Sequence, residues 1–158
     1  MLTSLILALV LTLQPVAPDP CETTVPPFVV TSGSAYWITW VLPATVSTPQ
    51  GPVPQRINGF TLQIDATPKL DLGALVPGAP CPAGTPQAGK LQFVYRTLSG
   101  VARGSHTATL IAWNFTLDAS GNPTTTKQES GPLTIPFAAV DPILTGPPST
   151  PEAGAIKR

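Results

Sequence analysis

Twelve residues, Gly104-Ser-His-Thr-Ala-Thr-Leu-Ile-Ala-Trp-Asn-Phe115, constrain this chain more than any other stretch. From Thr107 to Phe115 the run is rich in Thr, Ile, Trp and Phe and contains no breaker, which predicts one long β-strand. Successive side chains of a strand point to opposite faces, so the segment carries two stripes. His106, Ala108, Leu110 and Ala112 are small or apolar and suit an interior. Thr107, Thr109, Ile111 and Trp113 form the other stripe, which ends in two large apolar side chains facing outward.

The rest of the chain supplies partners of the same kind. Phe28–Val30 reads as a short strand. Ala35–Val41 alternates Tyr36, Ile38 and Trp40 against Trp37, Thr39 and Val41. Pro49–Gln55 reads as a Pro/Gly-rich loop. Ile57–Asp65 follows, with Phe60, Leu62 and Ile64 inward and Thr61 and Gln63 toward water. Thr67–Gly89 is a long Pro-rich connection with one possible edge strand at Leu70–Leu72. A loop of that length needs something to fix it. Leu91–Leu98 is the next strand, and Thr124–Lys127 pairs back across the turn Asp118–Asn122. Leu133–Phe137 is the last strand, and Pro136, lacking an N–H donor, implies that it lies at a sheet edge or leaves the sheet there. The predicted core is Tyr36, Ile38, Trp40, Phe60, Leu62, Ile64, Ala108, Leu110, Ala112, Leu133 and Ile135. The 21 prolines fall between these runs instead of filling one segment, as in turns and edge strands.

The reading is all-β: a two-sheet antiparallel β-sandwich of about seven strands. Residues 1–17 are read as a signal peptide, their apolar run Leu2–Leu13 being short for a bilayer span, with an N-terminal anchor as the competing reading. Residues 18–25 are a linker, 26–140 the sandwich, and 141–158 a flexible Pro/Gly/Ser/Thr-rich tail. This organisation implies a secreted or surface location, with no membrane span once the signal is removed. Cys21 and Cys81 are either a single disulfide in an oxidising compartment or two unrelated thiols.

Four segments carry a resemblance. Ile38-Thr-Trp40 followed by Pro43, Ile57-Asn-Gly-Phe60-Thr-Leu62, Gly104–Asn114 and Ser130-Gly-Pro-Leu-Thr-Ile135 resemble the second, third, sixth and seventh strands of a fibronectin type III domain. The resemblance covers Pro26 to about Ala139 and implies that family's immunoglobulin-like sandwich. That family usually has Tyr where His106 stands, its hydroxyl bonding a backbone group upstream. Imidazole can donate a similar hydrogen bond.

The chemistry-bearing residues are sparse. Charged residues make up 10% of the chain and balance to zero, which leaves no footprint for nucleic acid or an anionic membrane. One histidine and two cysteines cannot complete a zinc site, and no calcium-loop spacing exists, so neither metal nor cofactor is expected. No Gly-x-Ser-x-Gly elbow accompanies His106, which is read as a structural corner residue. Asn114-Phe-Thr116 fits a glycosylation sequon. Two function classes follow. The first is a non-catalytic module for adhesion, spacing or assembly through protein contacts. The second is a domain for carbohydrate or another ligand, stacking on Trp37 or Trp113. The predicted binding residues are Ile111, Trp113, Thr61, Gln63 and Trp37. An enzyme ranks behind both.

Overall fold

Strand alternation decides the architecture, and the computed structural model realises it across residues 18–22 and 28–142, the residues it describes. The readings of residues 1–17 and of the tail beyond Pro142 lie outside them. Ten strands occur among the described residues: β1 (Phe28–Thr31), β2 (Trp37–Leu42), β3 (Thr45–Thr48), β4 (Gly51–Pro54), β5 (Gly59–Ile64), β6 (Leu70–Gly73), β7 (Leu91–Arg96), β8 (Gly104–Leu117), β9 (Pro123–Glu129) and β10 (Leu133–Val140). No helix occurs among them, and β8 is the longest strand. It lies inside a six-stranded sheet of order β1-β10-β8-β5-β6, with β9 also paired to β8. β2 and β7 form a separate antiparallel pair, and β3 and β4 a third. All pairings are antiparallel except β1 with β10, which is parallel.

The count exceeds the expected seven chiefly because Thr45–Pro54 is a hairpin whose second strand occupies most of the stretch Pro49–Gln55 read as a loop. Its prolines disguise it. The Gln55 N–H bonds the Ala44 carbonyl, so Ala44 and Gln55 are a hydrogen-bonded pair. Alternation then turns the backbones of residues 52 and 54 away from β3. Pro52 and Pro54 therefore remove donors that the hairpin does not use. The strand carrying Pro136 is not an edge strand as expected, since β10 lies between β1 and β8; the proline is accommodated because β1 flanks β10 only from Phe137 onward.

One cluster joins the β2–β7 pair to the six-stranded sheet. Tyr36, Ile38, Trp40 and Phe93 meet Phe60, Leu62, Ala108, Leu110 and Phe137. Trp40 stands edge-on to Phe60 at 5.1 Å and stacks on Phe93 at 5.8 Å. Tyr36 packs against Phe137 at 5.3 Å. The predicted stripe Tyr36, Ile38, Trp40 is buried, so the register of β2 is as expected. Ile64, Ala112 and Ile135 are half-buried at the margin of the cluster. Leu133 departs from expectation at 44% exposure, because it opens β10 where no β1 residue flanks it. Phe93, Phe137 and Ala139 are core residues that strand alternation had left unassigned.

Cys21 and Cys81 form a disulfide with Cα atoms 5.4 Å apart, and both are buried. It fixes the long connection as the loop length required. The Cys81 N–H reaches the Lys90 carbonyl and the Gly78 N–H the Gln92 carbonyl, so the pinned loop lies along β7.

Candidate functional site

Three places could carry function: the outer face of β5 and β8, the free edge of β2, and the end of the fold around His106.

On the outer face, Thr61 pairs with Ile111, Gly59 with Trp113, and Gln63 with Thr109. Directly paired residues share a face, so Ile111 and Trp113 stand beside Thr61 and Gln63 as the stripes predict. Trp113 is not a platform, however, at only 8% exposure. Its indole lies across Gly59, where a Cβ would fall 2.7 Å from Cε2. Lys127 Nζ sits 3.7 Å from the ring centroid, and Phe115 packs at 5.4 Å. Lys127 in turn pairs with Asp71 at 3.0 Å. The hairpin strand β9 thus supplies the lid, and the ring face is occupied. Ile111, Thr61 and Gln63 are half-buried beside it. Trp37 is elsewhere, on β2, half-buried with the Arg96 guanidinium 5.4 Å from its ring. The five predicted residues therefore form one group of four with Trp37 apart from it. Asn114 of the sequon is tied into its strand, its Nδ2 donating to the Arg56 carbonyl at 3.4 Å while Oδ1 is buried.

The edge of β2 is defined by its pairing. Thr97 N–H donates to the Tyr36 carbonyl at 2.9 Å, and Tyr36 N–H to Thr97 Oγ1. Tyr36 and Thr97 are thus the hydrogen-bonded kind of pair, and alternation aims the backbones of Ile38, Trp40 and Leu42 at β7 as well. The backbones of Trp37, Thr39 and Val41 face the other way, and no backbone group among the described residues meets them. Beside that edge, between β1 and β2, lies a groove of about 530 Å³. Its lining includes Phe28, Val30, Ile38, Ile135 and Phe137, and no charged residue is part of it.

Four other edges are guarded, while β1 and β3, which also have one neighbour each and carry neither proline nor charge, are only four residues long. β4 has its two prolines, β7 its covering loop, β9 the charges of Lys127 and Glu129, and β6 is four residues long with Asp71. These are the usual defences against strand addition. β2, reading Trp-Ile-Thr-Trp-Val-Leu, contains neither proline nor charge.

At the third place, His106 Nε2 lies 2.7 Å from the Ala102 carbonyl, four residues upstream. The imidazole thus reaches a backbone group upstream of its own strand. Nδ1 lies 2.7 Å from Asp65 Oδ2, a partner that the strand pattern did not predict. Asp65 closes β5 in the left-handed conformation (φ 51°), and its other carboxylate oxygen accepts the Thr107 N–H at 2.8 Å. The hydrogen bond from His106 and that from Thr107 hold the Asp65 carboxyl below its ordinary range. Asp65, then the Ala102 carbonyl, raise the imidazole. Burial, with Asp65 nearby, pushes the Tyr36 phenol up. All three groups line a cavity of about 550 Å³. Both ring nitrogens are thus engaged, one by a carboxylate and one by a main-chain carbonyl, and neither is directed at a hydroxyl or thiol.

Among the described residues no group of three or more His, Cys, Asp or Glu side chains could hold a metal ion, and no helix is long and apolar enough to cross a membrane. No protein-family model matches the chain, and neither a curated protein nor a solved structure matches it.

Proposed function

We propose that the chain is an exported, non-catalytic module of the fibronectin type III-like sandwich kind, serving adhesion, spacing or assembly by taking an extended segment of a partner protein onto the β2 edge. The observation that carries this reading is that β2, the longest edge strand without proline or charge among the described residues, has no backbone partner among them on its outer side and lies beside an uncharged apolar groove. Outward-facing backbone at Trp37, Thr39 and Val41 specifies an extended strand as the occupant, since only a strand matches that spacing of donors and acceptors. The lining specifies an uncharged segment with apolar side chains on one face. The disulfide supports export, because such bonds persist in oxidising compartments. Stacking of a sugar is the weaker reading: Trp113 is covered and Arg96 takes one face of Trp37.

Thr39→Pro tests the reading. Proline deletes one outward N–H and adds a ring to the edge, a change that edge strands tolerate. A photo-crosslinker replacing Val29, which lines the groove, should give a discrete adduct at the surface of the producing cell, and Thr39→Pro should abolish it. The same probe at Val76, 91% exposed and remote from the groove lining, should give none. An adduct that survives Thr39→Pro, or one equally strong from Val76, contradicts the reading.

A further inference from the structure

The hydrogen-bond inventory of His106 fixes its charge. A main-chain carbonyl has only lone pairs to offer, and so has an ionised carboxylate. With Nε2 and Nδ1 each 2.7 Å from such a partner, both nitrogens must carry a proton, so the bound ring is imidazolium. A neutral ring keeps one N–H. That proton stays with Asp65, because a hydrogen bond to a carboxylate is about twice as strong as one to a neutral acceptor. Nε2 then turns a lone pair on the Ala102 carbonyl, and the contact becomes repulsive.

What Ala102 holds is the connection Thr97–Arg103 between β7 and β8. Its near end is anchored by Thr97, which is buried and bonded to Tyr36, and Val101 packs against the core; beyond these its ties are few. The Gly33 N–H donates to the Val101 carbonyl at 2.8 Å, and Arg103 pairs with Asp141 at 3.1 Å between two exposed side chains, a pair of little worth in water. Gly100 fits against the backbone of Gly33 and Ser34 because it has no Cβ. Leu98 is 94% exposed. The connection walls the cavity whose other sides include Leu62, Ile64, Tyr36 and Tyr95.

We propose that His106 is a proton-operated latch: while charged it clamps Ala102 and keeps the Thr97–Arg103 connection closed over the cavity, and on losing its proton it lets that connection open. The titratable groups that line the cavity around it are Asp65 at the end of β5, Tyr36 ahead of β2, and Tyr95 on β7. Asp65 stays ionised throughout the range concerned, its carboxyl being held low. The imidazole is raised in the folded state, so the clamp is whole below the ordinary histidine range near pH 6.5 and is lost as pH rises through the raised value. The opposite limit lies on the acid side, where the clamp fails as pH falls through the lowered Asp65 value.

The experiment follows the full chain between pH 5.5 and 9.5 by NMR. It reads the two ring nitrogens of His106 and, in parallel, exchange of the Gly33 N–H bonded to the Val101 carbonyl, corrected for the intrinsic effect of pH. The expected result is a doubly protonated ring whose single titration step falls above about pH 6.5 and leaves the proton on Nδ1. Protection of the Gly33 N–H, which donates to the Val101 carbonyl, should fall about tenfold or more with the same midpoint. In His106→Gln the step in protection should vanish. In Asp65→Asn the midpoint should move down. A neutral ring at pH 5.5, a midpoint at or below about pH 6.5, or unchanged Gly33 protection through the ring's titration would overturn the latch. The wild-type titration decides the matter even if a variant fails to fold.

Discussion

Trp113 and Gly59 should behave as a single unit, and a double-mutant cycle measures it. Trp113 is 8% exposed, lies across Gly59, and carries Lys127 over its other face. Truncating a buried Trp to Ala costs about 3–5 kcal/mol, and the cation over the ring adds about 0.5–1 kcal/mol. Two effects pull the other way. The site lies at a sheet surface that can relax, and Trp113 Nε1 is buried without a partner, so deleting it removes a penalty of about 1–3 kcal/mol. A net loss of about 3 kcal/mol is expected for Trp113→Ala, or about 10 °C in Tm for a domain of this size. Gly59→Ala should cost about 1–3 kcal/mol, because its Cβ meets the indole. Once Trp113 is Ala, that clash is gone and only the Gly73 carbonyl, 2.9 Å from the added Cβ, resists it. The cost of Gly59→Ala should then fall without vanishing, giving a favourable coupling of about 1–2 kcal/mol in urea unfolding. Additivity within about 0.5 kcal/mol would refute the packing argument.

Trp40→Ala should cost about 3–5 kcal/mol, since the indole fills the space between Phe60 and Phe93. Trp40→Phe should change urea stability by less than about 1 kcal/mol, because the area it loses is offset by removing the unpartnered Nε1. Oxidised protein should show no free thiol on denaturation, and replacing both Cys21 and Cys81 by Ala should cost roughly 4 kcal/mol for a separation of 60 residues in the chain-entropy account. Two titratable thiols in unreduced protein would remove that bond and weaken the argument for export.

Local pattern was enough to place Tyr36, Ile38 and Trp40 inward and to bring Ile111 and Trp113 to one outer face. Alternation is a property of the strand itself. Exposure of that face is not. Trp113 is covered because a glycine stands opposite it on β5 and a lysine arrives from β9, and neither neighbour can be inferred from β8 alone. The β3–β4 hairpin was hidden for a different reason. Proline signals a loop by composition, yet at Pro52 and Pro54 it occupies outward positions, where a strand accommodates it without losing a ladder bond. His106 shows both sides at once. Its bond to Ala102 lies within four residues and was foreseeable from the corner position, whereas Asp65 comes from 41 residues upstream through an unusual left-handed backbone. The open edge of β2 was the least visible feature, for an edge becomes open only once every other strand has found its neighbour.

Amide exchange along β2 in the isolated full-length protein tests the open edge most directly. Ile38, Trp40 and Leu42 point their N–H groups at β7 and should be strongly protected, whereas Trp37, Thr39 and Val41 point theirs to the free edge and should exchange faster by about two orders of magnitude or more. Alternating slow and fast amides from residue 37 to residue 42 is the result predicted by an edge that is open to a partner strand. Uniform protection of all six in the isolated protein would mean that the edge is already filled, and would contradict it.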